Sequence, residues 1–267
     1  MEPPGFDTHF HIIDFRFPVQ ENQGFMPPSF PVEAYRERTR DLGITGGCVV
    51  AGSFQGFDTA FMLDALDKFG PTFVGVVQIP ASATDEEIRR LDAAGVRGVR
   101  FNLVRGGSAG MDDLDRLARR VFDLAGWHAE LYADARDLEP IYPTVAALPA
   151  VSIAHLGLSK AGFPTLLKLA EKGMKVKATG FGRVIDIDVP AALRDLAKAN
   201  PECLMFGTDL PSQRARRPFM ASDIDLIRES LDPALWDKVF RENAIAFYRP
   251  VKSVNEGPRK KRERLPP

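Results

Sequence analysis

Eight times along this chain an apolar, β-branched run gives way to a stretch patterned as a helix. The runs lie at residues 6–12, 46–51, 73–79, 96–103, 127–133, 151–154, 174–179 and 203–207. Helical stretches follow at 32–42, 59–69, from 84 onward, 114–125, 138–148, 164–172 and 190–199, with 222–230 and 233–247 closing the series. Local chemistry marks several ends. Thr84 and Glu87 have capping-box spacing, Gly95 stops that helix, and Pro190 opens another at a favoured first position. Leu114, Leu117, Ala118, Val121, Phe122 and Ala125 form one apolar stripe. Pro140 and Pro143 interrupt the weakest helix early. Alternating strand and helix implies parallel strands joined by right-handed crossovers. Eight such units in about 250 residues is the size of a closed (β/α)8 TIM barrel. A doubly wound open sheet is the alternative, but no dinucleotide glycine fingerprint follows the first strand. Residues 1–250 therefore read as one barrel domain. Residues 251–267, with Arg259-Lys260-Lys261-Arg262, read as a basic, mobile tail.

Composition narrows the partners. The formal net charge is -1 over 267 residues, which gives no reason to expect nucleic acid or a membrane surface. No window is apolar enough for a transmembrane helix, and the N-terminus has no basic, apolar leader. Cys48 and Cys203 sit in apolar runs and read as buried thiols of a reducing compartment. A cytoplasmic protein is expected, and the oligomeric state stays open.

The chemistry gathers at strand ends. Only 4 histidines occur. His9 and His11 stand two apart on the first strand, so both point to one spot. His155 ends the sixth strand, and Asp209 follows the eighth. In a barrel, functional groups sit at the C-terminal ends of strands, and closure makes the first and eighth strands neighbours. His128 lies at the opposite end of its strand and reads as structural. On the same active face lie Arg100 and Arg105 after strand four, Arg183 after strand seven, and Arg214, Arg216 and Arg217 after strand eight. Arginine binds carboxylates bidentately, so a small anionic substrate is expected. Ser53 and Tyr132 are further candidate hydrogen-bond donors. Arg97, on the other face from Arg100, reads as a helix-facing ion-pair residue.

The segments Asp7-Thr8-His9-Phe10-His11, Ile153-Ala154-His155-Leu156-Gly157 and Phe206-Gly207-Thr208-Asp209-Leu210-Pro211 carry a resemblance. So do Gly98–Val104, Lys177–Arg183 and Asn243–Tyr248. Together they resemble the amidohydrolase superfamily in its amidohydrolase-related branch, and within it the 2-pyrone-4,6-dicarboxylate lactonases. The resemblance spans about residues 6–249. It implies an amidohydrolase-type barrel and a hydrolase that opens a small carboxylated lactone. It further implies that Arg100, Arg105 and Arg183 hold the substrate's carboxylates. The family's usual metal set adds a strand-five histidine, or a lysine or glutamate on strand four. Here strand four offers Arg100 and Asn102. The missing ligand matches the lactonases, which act without metal, so no cofactor is favoured. Asp209 is then the general base, with His9, His11 and His155 polarising the carbonyl. A single zinc on His9, His11 and Asp209 remains the alternative, within a metal-dependent hydrolase or decarboxylase of the branch. A sugar lactonase and a non-catalytic binding barrel are the other readings.

Overall fold

The computed structural model describes residues 5–251. The proposed basic tail falls outside them except for its first residue. The strands are β1 (Gly5–Phe10), β2 (Ile44–Val50), β3 (Phe73–Val77), β4 (Val96–Asn102), β5 (His128–Tyr132), β6 (Val151–Ile153), β7 (Lys175–Ala178) and β8 (Leu204–Phe206). All pair in parallel and in chain order. The helices are α1 (Val32–Thr39), α2 (Ala60–Phe69), α3 (Asp85–Ala93), α4 (Leu114–Ala125), α5 (Tyr142–Ala146), α6 (Phe163–Glu171), α7 (Val189–Ala199), α8 (Ser222–Ser230) and α9 (Asn243–Tyr248). This is the eight-stranded barrel expected from the alternation, not the open doubly wound sheet. None of the described helices is long and apolar enough to cross a membrane.

Closure comes from the segments just past β1 and β8. The Asp209 amide donates to the His9 carbonyl at 2.7 Å, and the His11 amide to the Leu210 carbonyl at 2.8 Å. Asp7 ties the same seam. Its carboxylate accepts from the Thr208 amide and hydroxyl at 2.8 and 2.6 Å and from the Tyr35 hydroxyl of α1 at 3.0 Å. Burial raises its pKa to about 6 against these hydrogen bonds, which pull the other way. The strand register shifts between Asp7 and Phe10. This irregularity lets Asp7 face a helix while His9 faces the barrel interior.

Two apolar layers hold the frame. One fills the space between strands and helices, with Phe10, Val49, Val99, Leu131 and the α4 residues Leu114, Leu117, Ala118 and Val121. Phe6, Cys48, Val50, Val74, Val76 and Met205, from β1, β2, β3 and β8, form the other with Tyr248 of α9. Both thiols are free and buried, as expected. The Glu87 amide donates to Thr84 Oγ1 at 3.2 Å, so that helix is capped as the spacing predicts.

Three expectations need correction. The helix expected over 138–148 is only Tyr142–Ala146, because Pro140 and Pro143 deny it an earlier start. The stretch 233–247 breaks into a 3₁₀ turn, a π segment and α9. At the α4 stripe, Phe122 lies on the helix flank and is 36% exposed.

Candidate active site

The mouth of the barrel gathers the imidazoles and the late carboxylate. His9 Nε2 lies 4.0 Å from Asp209 Oδ1, and His155 Nε2 lies 3.9 Å from the same oxygen. The His9 ring centroid is 5.1 Å from that of His11 and 4.8 Å from that of His155. His11 comes one residue after β1 and His155 sits in a 3₁₀ turn after β6, so both leave the strands before reaching the site. Backbone geometry aims them. His155 and Asp209 adopt left-handed φ values of 54° and 60°, a conformation that non-glycine residues hold only when the surroundings impose it. Gly180, itself at φ +61°, lies against His155, and a Cβ there would collide with its Nδ1.

Asp209 is used asymmetrically. Arg183 Nε donates to Oδ2 at 2.6 Å, while buried Oδ1 has no hydrogen-bond partner. Burial raises the Asp209 pKa above its ordinary 3.8, partly offset by the Arg183 guanidinium. His9, His11 and His155 are all pushed well below 6.5. Burial is the largest cause for each, and nearby cations, Lys177, Arg100 and Arg183 among them, add to it. The three rings are therefore neutral. His11 Nδ1 lies 2.7 Å from the Val50 carbonyl. A carbonyl only accepts, so Nδ1 carries the proton and Nε2 presents a lone pair.

A cavity opens above this set. Ser53, Arg100, Arg105, Tyr132, Arg183 and Arg214 are among its lining residues. His9, His11, His155 and Asp209 thus lie in the cluster and Ser53, Arg100, Arg105, Tyr132, Arg183 and Arg214 on the cavity wall, whereas Arg216 and Arg217 line neither. The arginines differ in their ties. Arg100 is buried, donates to the Ala51 carbonyl at 2.6 Å and lies over the Tyr132 ring. Arg105 is half-buried, and its guanidinium donates to Gln23 Oε1 at 3.1 Å. Arg214 is held by Asn22 and stacks on Phe25. Ser53 Oγ donates to Asn22 Oδ1 at 3.0 Å. Of the arginines after β8, Arg217 is turned away and pairs with Asp223 of α8. Arg97 pairs with Asp92 of α3 at 3.0 Å, as its position predicts.

Two charged residues escaped the sequence reading. Glu130 of β5 and Lys177 of β7 are fully buried and form an ion pair beneath His9. Their signal was a charge on a strand between apolar neighbours, Ala129 and Leu131 for Glu130 and Val176 and Ala178 for Lys177, which burial tolerates only when the charge is paired. Asn22 and Phe25, in the long loop before α1, carried no motif.

His9, His11 and Asp209 also meet the minimum for a cation site, with ligand atoms within 4.8 Å of one another. Barrel, imidazoles and carboxylate together define a hydrolase of the amidohydrolase type. The chain belongs to the amidohydrolase family, whose model matches residues 6–249. It is 28% identical over 276 residues to the 2-pyrone-4,6-dicarboxylate hydrolase of Comamonas testosteroni, covering 91% of this chain and 90% of that one. The 4-sulfomuconolactone hydrolase of Hydrogenophaga intermedia is 28% identical over 230 residues, covering 79% of this chain and 76% of its own. A crystal structure from Agrobacterium tumefaciens superposes with a TM-score of 0.83 at 24% identity, over 93% of this chain and 97% of that one.

Proposed function

We propose that this protein hydrolyses a small lactone bearing carboxylates, of the 2-pyrone-4,6-dicarboxylate kind, without a metal. The observation that carries the reading is the free Asp209 Oδ1, set among neutral imidazoles under an arginine-lined cavity. The two curated relatives named above are both lactone hydrolases.

The attacking water donates one hydrogen to Asp209 Oδ1 and the other to the lone pair on His11 Nε2. As its oxygen bonds to the lactone carbonyl carbon, Asp209 takes the first proton. His9 and His155 face the carbonyl oxygen and stabilise the charge that develops there. Collapse of the tetrahedral species breaks the ring C–O bond. Asp209 then returns its proton to the leaving oxygen, so one water is consumed and one ring opened. Arg100, Arg105, Arg183 and Arg214 hold the carboxylates, while Ser53 and Tyr132 line the same pocket.

The zinc alternative fits the residues poorly. Ligands at about 2.1 Å around a tetrahedral ion lie roughly 3.4 Å apart, whereas His9 Nε2 and Asp209 Oδ1 are 4.0 Å apart. The cations Lys177 and Arg100 act on all three rings, and each repels a divalent cation. Strand four offers no carboxylate or lysine in support. Purified protein is expected to turn over 2-pyrone-4,6-dicarboxylate equally with and without EDTA. Loss of activity to chelator, restored by stoichiometric zinc, would favour the metal reading. No turnover of any carboxylated lactone would sink the proposal.

A further inference from the structure

The buried Lys177–Glu130 pair has no part in the chemistry above, yet it lies directly under His9. We propose that Lys177 is a positioning residue that fixes the tautomer of His9, and thereby makes His9 a hydrogen-bond donor to the substrate rather than a metal ligand. The tautomer assignment stands on geometry alone; its catalytic consequence rests on the lactone-hydrolase reading.

An ammonium has three N–H donors and no acceptor. Lys177 Nζ has three neighbours: the Thr8 carbonyl at 2.7 Å, Glu130 Oε2 at short range, and His9 Nδ1 at 3.3 Å. All three donors are therefore used, and the third requires a lone pair on His9 Nδ1. Were Nδ1 protonated, two donors would face each other in a fully buried spot, and one ammonium proton would lack an acceptor. An unmet donor in such a place is costly. Glu130 Oε1 is the competing partner for an Nδ1 proton. It lies 3.6 Å away, beyond hydrogen-bond reach, and faces Arg100 Nε at the same distance.

With Nδ1 accepting, the proton of the neutral ring sits on Nε2. That atom is buried, has no partner of its own, and points toward Asp209. An Nε2–H is suited to donate to a carbonyl oxygen on its way to an oxyanion. It has no lone pair to give a cation. His11 is locked the opposite way by Val50. The two histidines of β1 thus take complementary parts, His9 donating to the carbonyl and His11 accepting from water. A metal site would need both Nε2 atoms bare.

Nitrogen-15 histidine NMR on the full chain reads this directly, since only 4 imidazoles contribute and His9→Asn assigns the signal. The expected result is His9 in the Nε2–H form and His11 in the Nδ1–H form. Added zinc at stoichiometric concentration should leave the His9 signal in place. His9 in the Nδ1–H form, or zinc bound through its Nε2, overturns the proposal while leaving lactone hydrolysis untouched. Conversely, absence of lactonase activity leaves the tautomer result standing. A Lys177→Met/Glu130→Gln double variant neutralises both members of the pair, and buried Arg100, which faces Glu130 Oε1, keeps Asp209 as a nearby opposite charge. The double variant should show a mixed His9 tautomer and lose about tenfold or more in kcat, with KM within about threefold. An unchanged His9 tautomer in that folded variant would also refute the role of Lys177.

Discussion

His155 at the mouth of the barrel and His128 at its floor are instructive together. Both rings are buried, and both are held neutral by burial above all, His128 with its pKa lowered to about 3. Each even leaves one ring nitrogen without a hydrogen-bond partner. By titration alone they cannot be told apart. Their neighbours differ. His128 bonds through Nδ1 to the Arg97 carbonyl at 2.8 Å and packs on the Phe247 and Tyr248 rings. His155 faces the Asp209 carboxylate across 3.9 Å, beside Tyr132 and a cavity lined by arginines. A perturbed histidine marks a site only when charged partners and open space accompany it.

This contrast can be tested at both ends of the barrel. The largest effect belongs to Asp209→Asn, which keeps the shape but removes the base. Steady-state kinetics should show kcat lower by about 10²- to 10⁴-fold. In the parent protein the Asp209 carboxyl is held above 3.8, and a base works only when ionised. Activity should therefore fall as pH drops through that raised value, and the variant's residual rate should lack this acid limb. A limb unchanged in Asp209→Asn would assign it to another group. Arg105→Ala comes next, at the rim of the cavity. Loss of one charge-assisted hydrogen bond to a carboxylate should raise KM about tenfold, with kcat nearly constant. An equal loss for a lactone lacking carboxylates would show that Arg105 does not read the anion. The smallest kinetic effect is at the floor. His128→Leu should leave kcat and KM unchanged and cost about 1–3 kcal/mol in denaturant unfolding, because the Arg97 carbonyl loses its donor. A large kinetic defect there would erase the distinction between the two ends.

Much of this was legible in the chain. Sequence marked the barrel because strands two residues in period and helices near 3.6 leave different apolar patterns, as at 114–125. His9, His11, His155 and Asp209 were legible because strand ends in such a barrel share one face. Glu130 and Lys177 were not, although each was visible as a charge flanked by apolar residues on a strand. Their meaning depends on a partner 47 residues away, and no local pattern reports such a pairing. Asn22 and Phe25 were hidden for a related reason, since a long loop has no period to place it.

The amino-acid order by itself determined how many strands and helices form, and at which strand ends the reactive side chains fall, because those follow from local periodicity. Only the tertiary structure decided what each ring nitrogen does. A proton's place on His9 or His11 is set by whichever group packs against it, Lys177 in one case and the Val50 carbonyl in the other. Those contacts exist only once the sheet has closed.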